Sequence, residues 1–184
     1  MANTFPGTTI EVHTLQSGSS RTLFGGIFAT GGITLSQVSV MTGLEPYLIQ
    51  NWVKRGFVSP PLKRVYSQEQ FARIILINML REALQIERVC SLLELMGATT
   101  ERTDDDWISD SELYHRYVDM IANCPPGLSD ETAVLRAAEA VISPVEERVP
   151  HTKKQLARVL QVMYYAHAAA RLRHSAETAL ATLM

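Results

Sequence analysis

The sequence predicts an all-α protein with one small β wing and a long terminal helix. Three observations predict this fold class. Apolar side chains recur at helical spacing from Thr34 to the C-terminus, interrupted only by short loops. Serine and threonine residues begin several of these segments and glycines end them, as helix caps do. One stretch with two prolines, residues 57–66, suits a short hairpin instead of a helix.

The composition describes a globular chain whose charges lie in blocks. The 184 residues are 46% hydrophobic and 20% charged, which is enough apolar surface for a substantial core. The formal net charge is −2. Residues 33–97 hold seven basic and five acidic side chains (+2), residues 98–149 four and twelve (−8), and residues 150–184 five and one (+4). A chain that is basic all over is therefore excluded, whereas one basic face is not.

Several classes of protein are disfavoured by missing features. Two cysteines, Cys90 and Cys124, are too few for a disulfide scaffold or a closed zinc site. No apolar run approaches the roughly 20 residues that span a bilayer, and no secretory signal pattern begins the chain. We therefore expect a cytoplasmic protein without a membrane partner.

The first 32 residues differ from the rest of the chain. Residues 1–32 contain repeated glycine among serine and threonine and show no sustained periodicity. We predict a flexible N-terminal arm, with a short strand around Ile10–Leu15 as its only regular element.

Two short helices with a tight turn between them follow the arm. The first is predicted over Leu35–Met41, capped by Thr34 and stopped by Gly43. The second begins at Pro46, a favoured first helical position, and ends at Gly56. This arrangement is typical of a helix-turn-helix.

The second helix is predicted to have one apolar and one polar side. Leu48, Ile49, Trp52 and Val53 fall on one arc at 100° per residue. Tyr47, Gln50, Asn51 and Lys54 fall on the opposite arc, with Arg55 at its edge. These polar side chains can hydrogen-bond base edges and phosphates in a major groove. Taken alone, this pattern also fits an amphipathic helix whose polar side is solvated and binds nothing.

Residues 57–66, FVSPPLKRVY, place Lys63 and Arg64 between apolar flanks after two prolines. We predict a short two-stranded wing, formed as an edge hairpin or loop, with these cations exposed at its tip or edge, where they would contact phosphates.

Two further helices are predicted next, over Gln68–Leu84 and from Ile86 to Met96 before Gly97. Ser67 and Gln70 form a capping box for the first of them. That helix is apolar on nearly every side, so it must be buried on every side, against other segments or a second subunit. Asn78 in this helix is predicted to bond a loop backbone.

The order of these elements resembles the MerR-like winged helix-turn-helix DNA-binding domain. The residues that carry the resemblance are ITLSQVSVMTGLEPYLIQNWVKRGFVSPP and then RVYSQEQFARIILINMLREALQIERVCSLLELMG. Within them, TLSQVSVMTGLEPYLIQNWVKRGFV and KRVYSQEQFARIILINMLR are similar to the uncharacterised bacterial family named domain of unknown function 1836. The resemblance covers residues 33–97.

The resemblance implies roles for particular residues. MerR-like domains read DNA with the second helix, here Tyr47, Gln50, Asn51, Lys54 and Arg55. They grip phosphates with the wing, here Lys63 and Arg64, and Arg73 is expected to add a backbone contact. The implied partner is double-stranded DNA, bound as a homodimer.

The remaining residues, 98–184, are predicted to form a helical dimerisation or sensing region. Thr99–Asp106 is expected to be a solvated acidic loop. Helices are predicted over Ser109–Asn123 (with Ser109 and Glu112 as a capping box), over Asp130–Ile142 (capped by Ser129) and over Thr152–Leu180. In the last helix, Leu156, Val159, Leu160, Met163, His167 and Ala170 form a stripe that packs into a core or against a twin subunit.

No motif for catalysis, a cofactor or a metal is visible. His167 and His174 are seven residues apart, whereas helical zinc pairs are spaced four apart. Tyr164 and Tyr165 suit core packing or a small-molecule pocket. We therefore predict a non-enzymatic, sequence-specific DNA-binding transcriptional regulator with an unidentified small-molecule effector as an option. An interaction or DNA-architectural module is the alternative, and a ligand sensor is the third hypothesis.

Overall fold

The computed structural model describes residues 3–96, 107–127, 130–147 and 149–183, and within them the chain is mostly helical. The helices are α1 (Ser19–Ile27), α2 (Leu35–Thr42), α3 (Pro46–Lys54), α4 (Gln68–Leu80), α5 (Ile86–Glu94), α6 (Asp110–Asn123), α7 (Glu131–Ile142) and α8 (Thr152–Ala181). Strand β1 (Asn3–Thr4) pairs antiparallel with β2 (Glu11–Val12), and β3 (Ile33–Thr34) pairs antiparallel with β4 (Val65–Tyr66). The prediction of an all-α protein is confirmed.

The N-terminal segment differs from the flexible arm that we predicted. It forms β1, β2 and the nine-residue helix α1, and it buries Phe5 and Phe24 in the core. The Phe24 ring is stacked on Tyr114 at 5.6 Å, and Arg21 pairs with Asp119 on α6 at 2.7 Å. These partners lie about ninety residues or more later in the chain than Phe24 and Arg21, so local periodicity cannot reveal them.

Helices α2 and α3 begin where predicted, and they end at Thr42 and Lys54 instead of Met41 and Gly56. Thr34 and Gln37 cap α2 reciprocally, and Gly43 closes it with a φ of 70°, a conformation that glycine adopts without strain. Pro46 begins α3 in the predicted way. The predicted pair of short helices joined by a glycine turn is confirmed.

Helix α4 is the centre of the molecule. Every residue from Phe71 to Ile77 is buried, as are Met79 and Leu80, and the helix packs against α2, α5, α6 and α8. Its capping box, Ser67 with Gln70, is confirmed. The elements of one chain cover α4 from Phe71 to Leu80 except at the half-buried Asn78, so its burial needs no second subunit. The helix ends at Leu80 and not at Leu84, and the Leu84 amide still donates to the Leu80 carbonyl.

The predicted role of Asn78 is confirmed. Its Nδ2 donates to the carbonyl oxygen of Gly7 at 3.0 Å and to that of Thr42 at 3.1 Å. One side chain thereby joins the N-terminal segment, the end of α2 and α4.

The C-terminal helices continue the same core. Helix α6 packs on α1, α4 and α7, and α7 packs on α8. The Ser109 hydroxyl accepts from the Glu112 amide, but the Glu112 carboxylate bonds Arg116 and Arg21 and does not complete a capping box. Asp130 caps α7. The predicted cap Ser129, the predicted stop Gly97 and the Thr99–Asp106 loop lie outside the described residues.

Candidate nucleic-acid interface

Helix α3 turns its apolar side into the core and its polar side outward. Ile49 is 0% and Trp52 2% exposed, whereas the predicted polar side chains on the opposite side are all exposed: Tyr47, Gln50, Asn51 and Lys54. We call these four residues the polar face of α3. The Trp52 indole carries the Arg81 guanidinium 5.7 Å from its ring centre, which adds to the anchoring of the helix from behind. The polar face therefore lies on a helix whose opposite side is packed into the core.

Arg55 lies at the edge of the polar face and is held there. Its Nη2 is 2.7 Å from the Glu87 carboxylate on α5, and its guanidinium lies 4.3 Å from the centre of the Phe57 ring. Planar stacking together with an ion pair restricts this side chain more than either contact alone. Glu87 was not identified as a partner from the sequence, because it lies 32 residues from Arg55.

The wing, residues 57–66, has a different sheet partner from the one predicted. Strand β4 pairs with β3, and the wing itself contains only the bridge between Leu62 and Val65. Pro60 and Pro61 have no amide hydrogen for a ladder, so the first limb of the wing is irregular. Gln70 holds that limb, since its Nε2 donates to the carbonyl oxygens of Ser59 and Pro60.

A two-residue turn forms the tip of the wing. The Val65 amide donates to the Leu62 carbonyl at 3.0 Å, and the residues between them, Lys63 and Arg64, have φ angles of 49° and 66°. Two positive φ angles in a two-residue hairpin are the pattern of a type I′ turn, which favours asparagine and glycine. Both side chains are exposed. The turn therefore presents two cations at the cost of an uncommon backbone conformation.

Arg73 lies in the interior, away from the other predicted contacts. It is 7% exposed, its Nε donates to the Phe57 carbonyl at 3.2 Å, and its Nη1 lies 3.5 Å from Asp110 on α6. Burial raises the pKa of Asp110 to about 6, although the Arg73 charge acts in the opposite direction. This position does not suit the phosphate contact that we expected, and Arg73 acts instead as a link between the wing and α6.

The charge of the interface comes from three side chains. Among the described residues, Lys54, Lys63 and Arg64 have no ion pair, while Arg55 is paired with Glu87 and Arg73 with Asp110. Three exposed cations without an ion pair therefore lie on α3 and at the tip of the wing.

The other candidate sites from the sequence have structural partners. His167 Nδ1 lies 2.8 Å from the Tyr117 hydroxyl, and burial lowers the pKa of His167 to about 4. Tyr164 is fully buried and donates to the Pro125 carbonyl, whereas Tyr165 is 41% exposed. Cys90 is a buried free thiol. In the described part of the chain, no group of three or more histidine, cysteine or acidic residues could hold a metal ion.

We predicted no membrane-spanning segment. Among the helices of the described residues, none is both long enough and apolar enough to cross a membrane.

Comparison with protein families finds one match. Residues 33–117 match the family described as Domain of unknown function (DUF1836), so a DUF1836 domain is found there. The match begins at β3 and extends into α6, beyond the 33–97 segment that carried the resemblance in the sequence. No curated protein and no solved structure matches the chain.

Proposed function

We propose that this protein is a cytoplasmic, non-enzymatic DNA-binding transcriptional regulator of the MerR-like winged helix-turn-helix type, which binds an inverted repeat as a homodimer. The observation that carries the proposal is the joint exposure of the polar face of α3 and the two cations at the wing tip. In this proposal α3 enters a major groove and the wing lies on the flanking backbone.

The side chains of the polar face suit the edges of bases. Glutamine and asparagine can each make two hydrogen bonds to adenine in the major groove, which favours Gln50 and Asn51 as the base-reading residues. Lys54 and Arg55 lie one turn further along, where a cation can reach phosphate or guanine. Lys63 and Arg64 would set the register of the helix without reading sequence.

The backbone conformation of the wing tip supports the proposal independently of the side chains on α3. A turn built from Lys63 and Arg64 has two residues in the left-handed region, where each costs of order 1 kcal/mol or more. A tip with asparagine and glycine would form the same turn without that cost. Two cations kept in this conformation fit a role that needs their charge.

Selection of bound sequences from a random pool of duplex DNA tests the proposal directly. We expect enrichment of an inverted repeat. With the selected site, the triple variant K54A/K63A/R64A should bind more weakly and show a shallower salt dependence. The slope of log K against log salt should fall by about 0.9 for each phosphate that the variant no longer neutralises, or about 5 for the bound dimer if all three residues of both copies bind phosphates.

A matched control removes the same charge elsewhere. R136A/K153A/K154A changes three cations on α7 and α8 and should leave both the affinity and the salt slope close to those of the unmodified protein. Equal losses in the two triple variants would show that only net charge matters, and a pool without any enriched sequence would contradict the proposal.

A second candidate function is a protein-interaction or DNA-architectural module. It is favoured by three exposed apolar side chains on the same elements, Val40 on α2 (72% exposed), Tyr47 on α3 (69%) and Leu62 in the wing (76%). Single apolar side chains are common on surfaces, so this observation carries less weight than the polar face. DNA binding that survives K54A/K63A/R64A without any enriched sequence would favour this candidate.

For a small-molecule effector we propose a cavity of about 470 Å³ between the end of α2 and α8. Its lining includes Thr42, Asn78, His167, Arg171 and His174. A ligand there would contact both the Asn78 link to α2 and the long helix. A thermal-shift screen with small anions should find a stabilising compound, and Arg171→Ala should abolish that shift.

A further inference from the structure

The last carbonyl groups of helix α2 bind donors from outside the helix. The final four carbonyls of a helix have no amide partner within it. In α2 these carbonyls belong to Ser39, Val40, Met41 and Thr42. The Gly43 amide, in the turn that follows, donates to the Ser39 carbonyl at 2.9 Å. The other three carbonyls accept hydrogen bonds from two residues that are distant in the sequence, Thr9 and Asn78.

Thr9 supplies two of these three donors. Its amide donates to the Met41 carbonyl at 2.8 Å, and its hydroxyl donates to the Val40 carbonyl at 2.7 Å. Thr9 lies between the paired strands β1 and β2. We call residues 3–12, which comprise the two strands and the loop between them, the N-terminal hairpin. The loop of this hairpin therefore caps the C-terminal end of α2.

The N-terminal hairpin is packed closely against the core. Phe5 is buried, and the Tyr114 hydroxyl on α6 donates to the Pro6 carbonyl at 3.0 Å. Gly7 has a φ of 71°, and a Cβ atom at this position would overlap the Ile75 carbonyl oxygen on α4. Glycine is therefore required for the hairpin to approach α4 this closely.

Asn78 connects the N-terminal hairpin to the back of helix α3. Its Nδ2 donates to the Gly7 carbonyl at 3.0 Å and to the Thr42 carbonyl at 3.1 Å. Its Oδ1 accepts from Arg81 Nε at 3.1 Å, and the Arg81 guanidinium lies over the ring of Trp52, which anchors α3. A continuous set of contacts therefore runs from the hairpin, through the end of α2, to α3.

The turn between α2 and α3 is too short to absorb a shift of the end of α2. It contains only Gly43, Leu44 and Glu45. The Ser39 hydroxyl donates to the Leu44 carbonyl at 2.6 Å, and Leu44 is buried. Movement at the end of α2 would therefore pass directly to Pro46, the first residue of α3.

We propose that the N-terminal hairpin is part of the DNA-reading unit, with Thr9 as a positioning residue that fixes the turn between α2 and α3. By fixing the turn, the hairpin aims the polar face of α3. This inference rests on the proposed DNA-binding function, and it gives a role to residues before the matched family domain, which begins at residue 33. The hairpin acts by increasing the fraction of molecules whose turn is formed, and the apparent DNA affinity is proportional to that fraction.

The first experiment measures amide hydrogen exchange by NMR on the full chain without DNA. We expect slow exchange for the amides of Thr9 and Gly43, which are both hydrogen-bonded to α2. Thr9→Val keeps the size of the side chain but removes the hydroxyl donor. It should speed exchange of the Gly43 amide by about two- to tenfold, the range that corresponds to one net hydrogen bond. Thr9→Ser should restore slow exchange, and Thr4→Val, the same change at an exposed residue of β1, should have no effect.

The second experiment measures affinity for the selected DNA site. Gly7→Ala should push the hairpin away from α4 and raise the dissociation constant by at least about tenfold, because three hydrogen bonds to α2 are weakened together. The slope of log K against log salt should stay unchanged, since no phosphate contact is lost. Gly18→Ala is the matched control: Gly18 has a φ of 82°, but a Cβ atom there would meet nothing within 4 Å, so affinity should not change.

A second variant keeps the test decisive if G7A does not fold. Asn78→Asp retains an acceptor for Arg81, but its carboxylate cannot donate to the Gly7 and Thr42 carbonyls. It should also weaken DNA binding without changing the salt slope. Asn123→Asp makes the same change at an exposed position of α6 and should bind DNA like the unmodified protein. Circular dichroism spectra matching that of the unmodified protein would show that a variant is folded.

Two results would overturn the inference. Fast exchange of the Thr9 amide in the unmodified protein, or an unchanged Gly43 exchange rate in T9V, would show that the hairpin does not fix the turn. Folded G7A and N78D proteins that bind the selected site as tightly as the unmodified protein would show that fixing the turn does not matter for DNA binding.

The exchange experiment also separates this inference from the proposed function, because it needs no DNA. K54A/K63A/R64A should lose DNA affinity with a shallower salt slope while the Gly43 amide exchanges as slowly as in the unmodified protein. A pool without any enriched sequence would overturn the DNA-reading role, whereas the exchange rates would still decide whether the hairpin fixes the turn.

Discussion

At the tip of the wing, two cations occupy a backbone conformation that suits neither of them. Lys63 and Arg64 have positive φ angles, and the two-residue turn they form is one that asparagine and glycine adopt readily. Strain of this kind persists where the surrounding structure enforces it and where the side chains are needed. The two residues therefore allow stability and binding to be separated by substitution.

The double variant K63N/R64G should raise the free energy of unfolding by about 1 kcal/mol or more, because the new residues suit the turn. It should also weaken DNA binding, because both wing cations are removed. Urea unfolding and a DNA titration measure the two effects. K63A/R64A is the control: it should lose the same affinity without the gain in stability. An unchanged unfolding midpoint in K63N/R64G would show that the turn is not strained.

The buried His167 makes the free energy of unfolding depend on pH in the acidic range. Burial lowers its pKa from 6.5 to about 4 in the folded chain. Between those pH values the unfolded chain takes up a proton that the folded chain excludes. The contribution of His167 to stability is therefore complete above pH 6.5 and falls by up to about 1.4 kcal/mol per pH unit on acidification towards pH 4. His167→Gln cannot titrate, so its free energy of unfolding should vary less with pH in this window.

Asp110 provides the comparison, because its contribution has the opposite sign. Its pKa is raised to about 6 from 3.8, so the folded chain holds a proton that the unfolded chain has released. That contribution grows as the pH falls from 6 towards 3.8 and partly offsets the loss at His167. Asp110→Asn should therefore steepen the decline of stability with acid where His167→Gln flattens it. Parallel pH profiles for both variants and the unmodified protein would contradict both assignments.

At the scale of elements, helix α1 is part of the fold and not an attached arm. Phe24 is 1% exposed and lies against Phe71 at 5.5 Å and Tyr114 at 5.6 Å. Phe24→Ala should lower the free energy of unfolding by about 3–5 kcal/mol, the usual cost of removing a buried phenylalanine ring. The exposed neighbour Thr22→Ala should cost little. A loss below about 1 kcal/mol in F24A, measured by urea unfolding, would restore the interpretation of residues 1–32 as an arm.

The elements that sequence could predict are those whose ends are decided locally. Thr34, Gly43, Pro46, and Ser67 with Gln70 fix helix boundaries within four residues of themselves, and all lie where expected. Helix α1 was missed because its stability comes from Asp119 and Tyr114 on a distant helix. The sheet partner of the wing was missed for the same reason, since β3 lies about thirty residues before β4.

The candidate interface likewise has features that local sequence predicts and features that distant residues decide. The exposed polar face of α3 follows from helical periodicity alone, so Tyr47, Gln50, Asn51 and Lys54 could be placed on one side in advance. The burial of Arg73 could not, because its partner Asp110 lies 37 residues later on α6. Periodicity assigns a side chain to a face of its own helix, but only the packing of other elements decides whether that face reaches solvent.

At the scale of the whole molecule, the core links the proposed DNA-contacting elements to the long helix α8. Helix α4 packs against both α2 and α8, and Asn78 ties the end of α2 to this central helix. A dimer formed through α8 would therefore hold its two α3 helices at a fixed separation. Proteins of this kind bind half-sites whose centres are about 34–36 Å, or one turn of DNA, apart, or multiples of that distance.

A fixed separation predicts how DNA affinity depends on the spacing of half-sites. Inserting about five base pairs, half a turn, between the halves of the selected site rotates one half to the far side of the duplex, so the unmodified dimer should lose most of its affinity. These affinities can be compared by electrophoretic mobility shift at one salt concentration, because phosphate contacts make every affinity depend on salt. If the unmodified protein binds both spacings equally, its two α3 helices are not held at a fixed separation, and the inverted-repeat part of the proposed function is wrong.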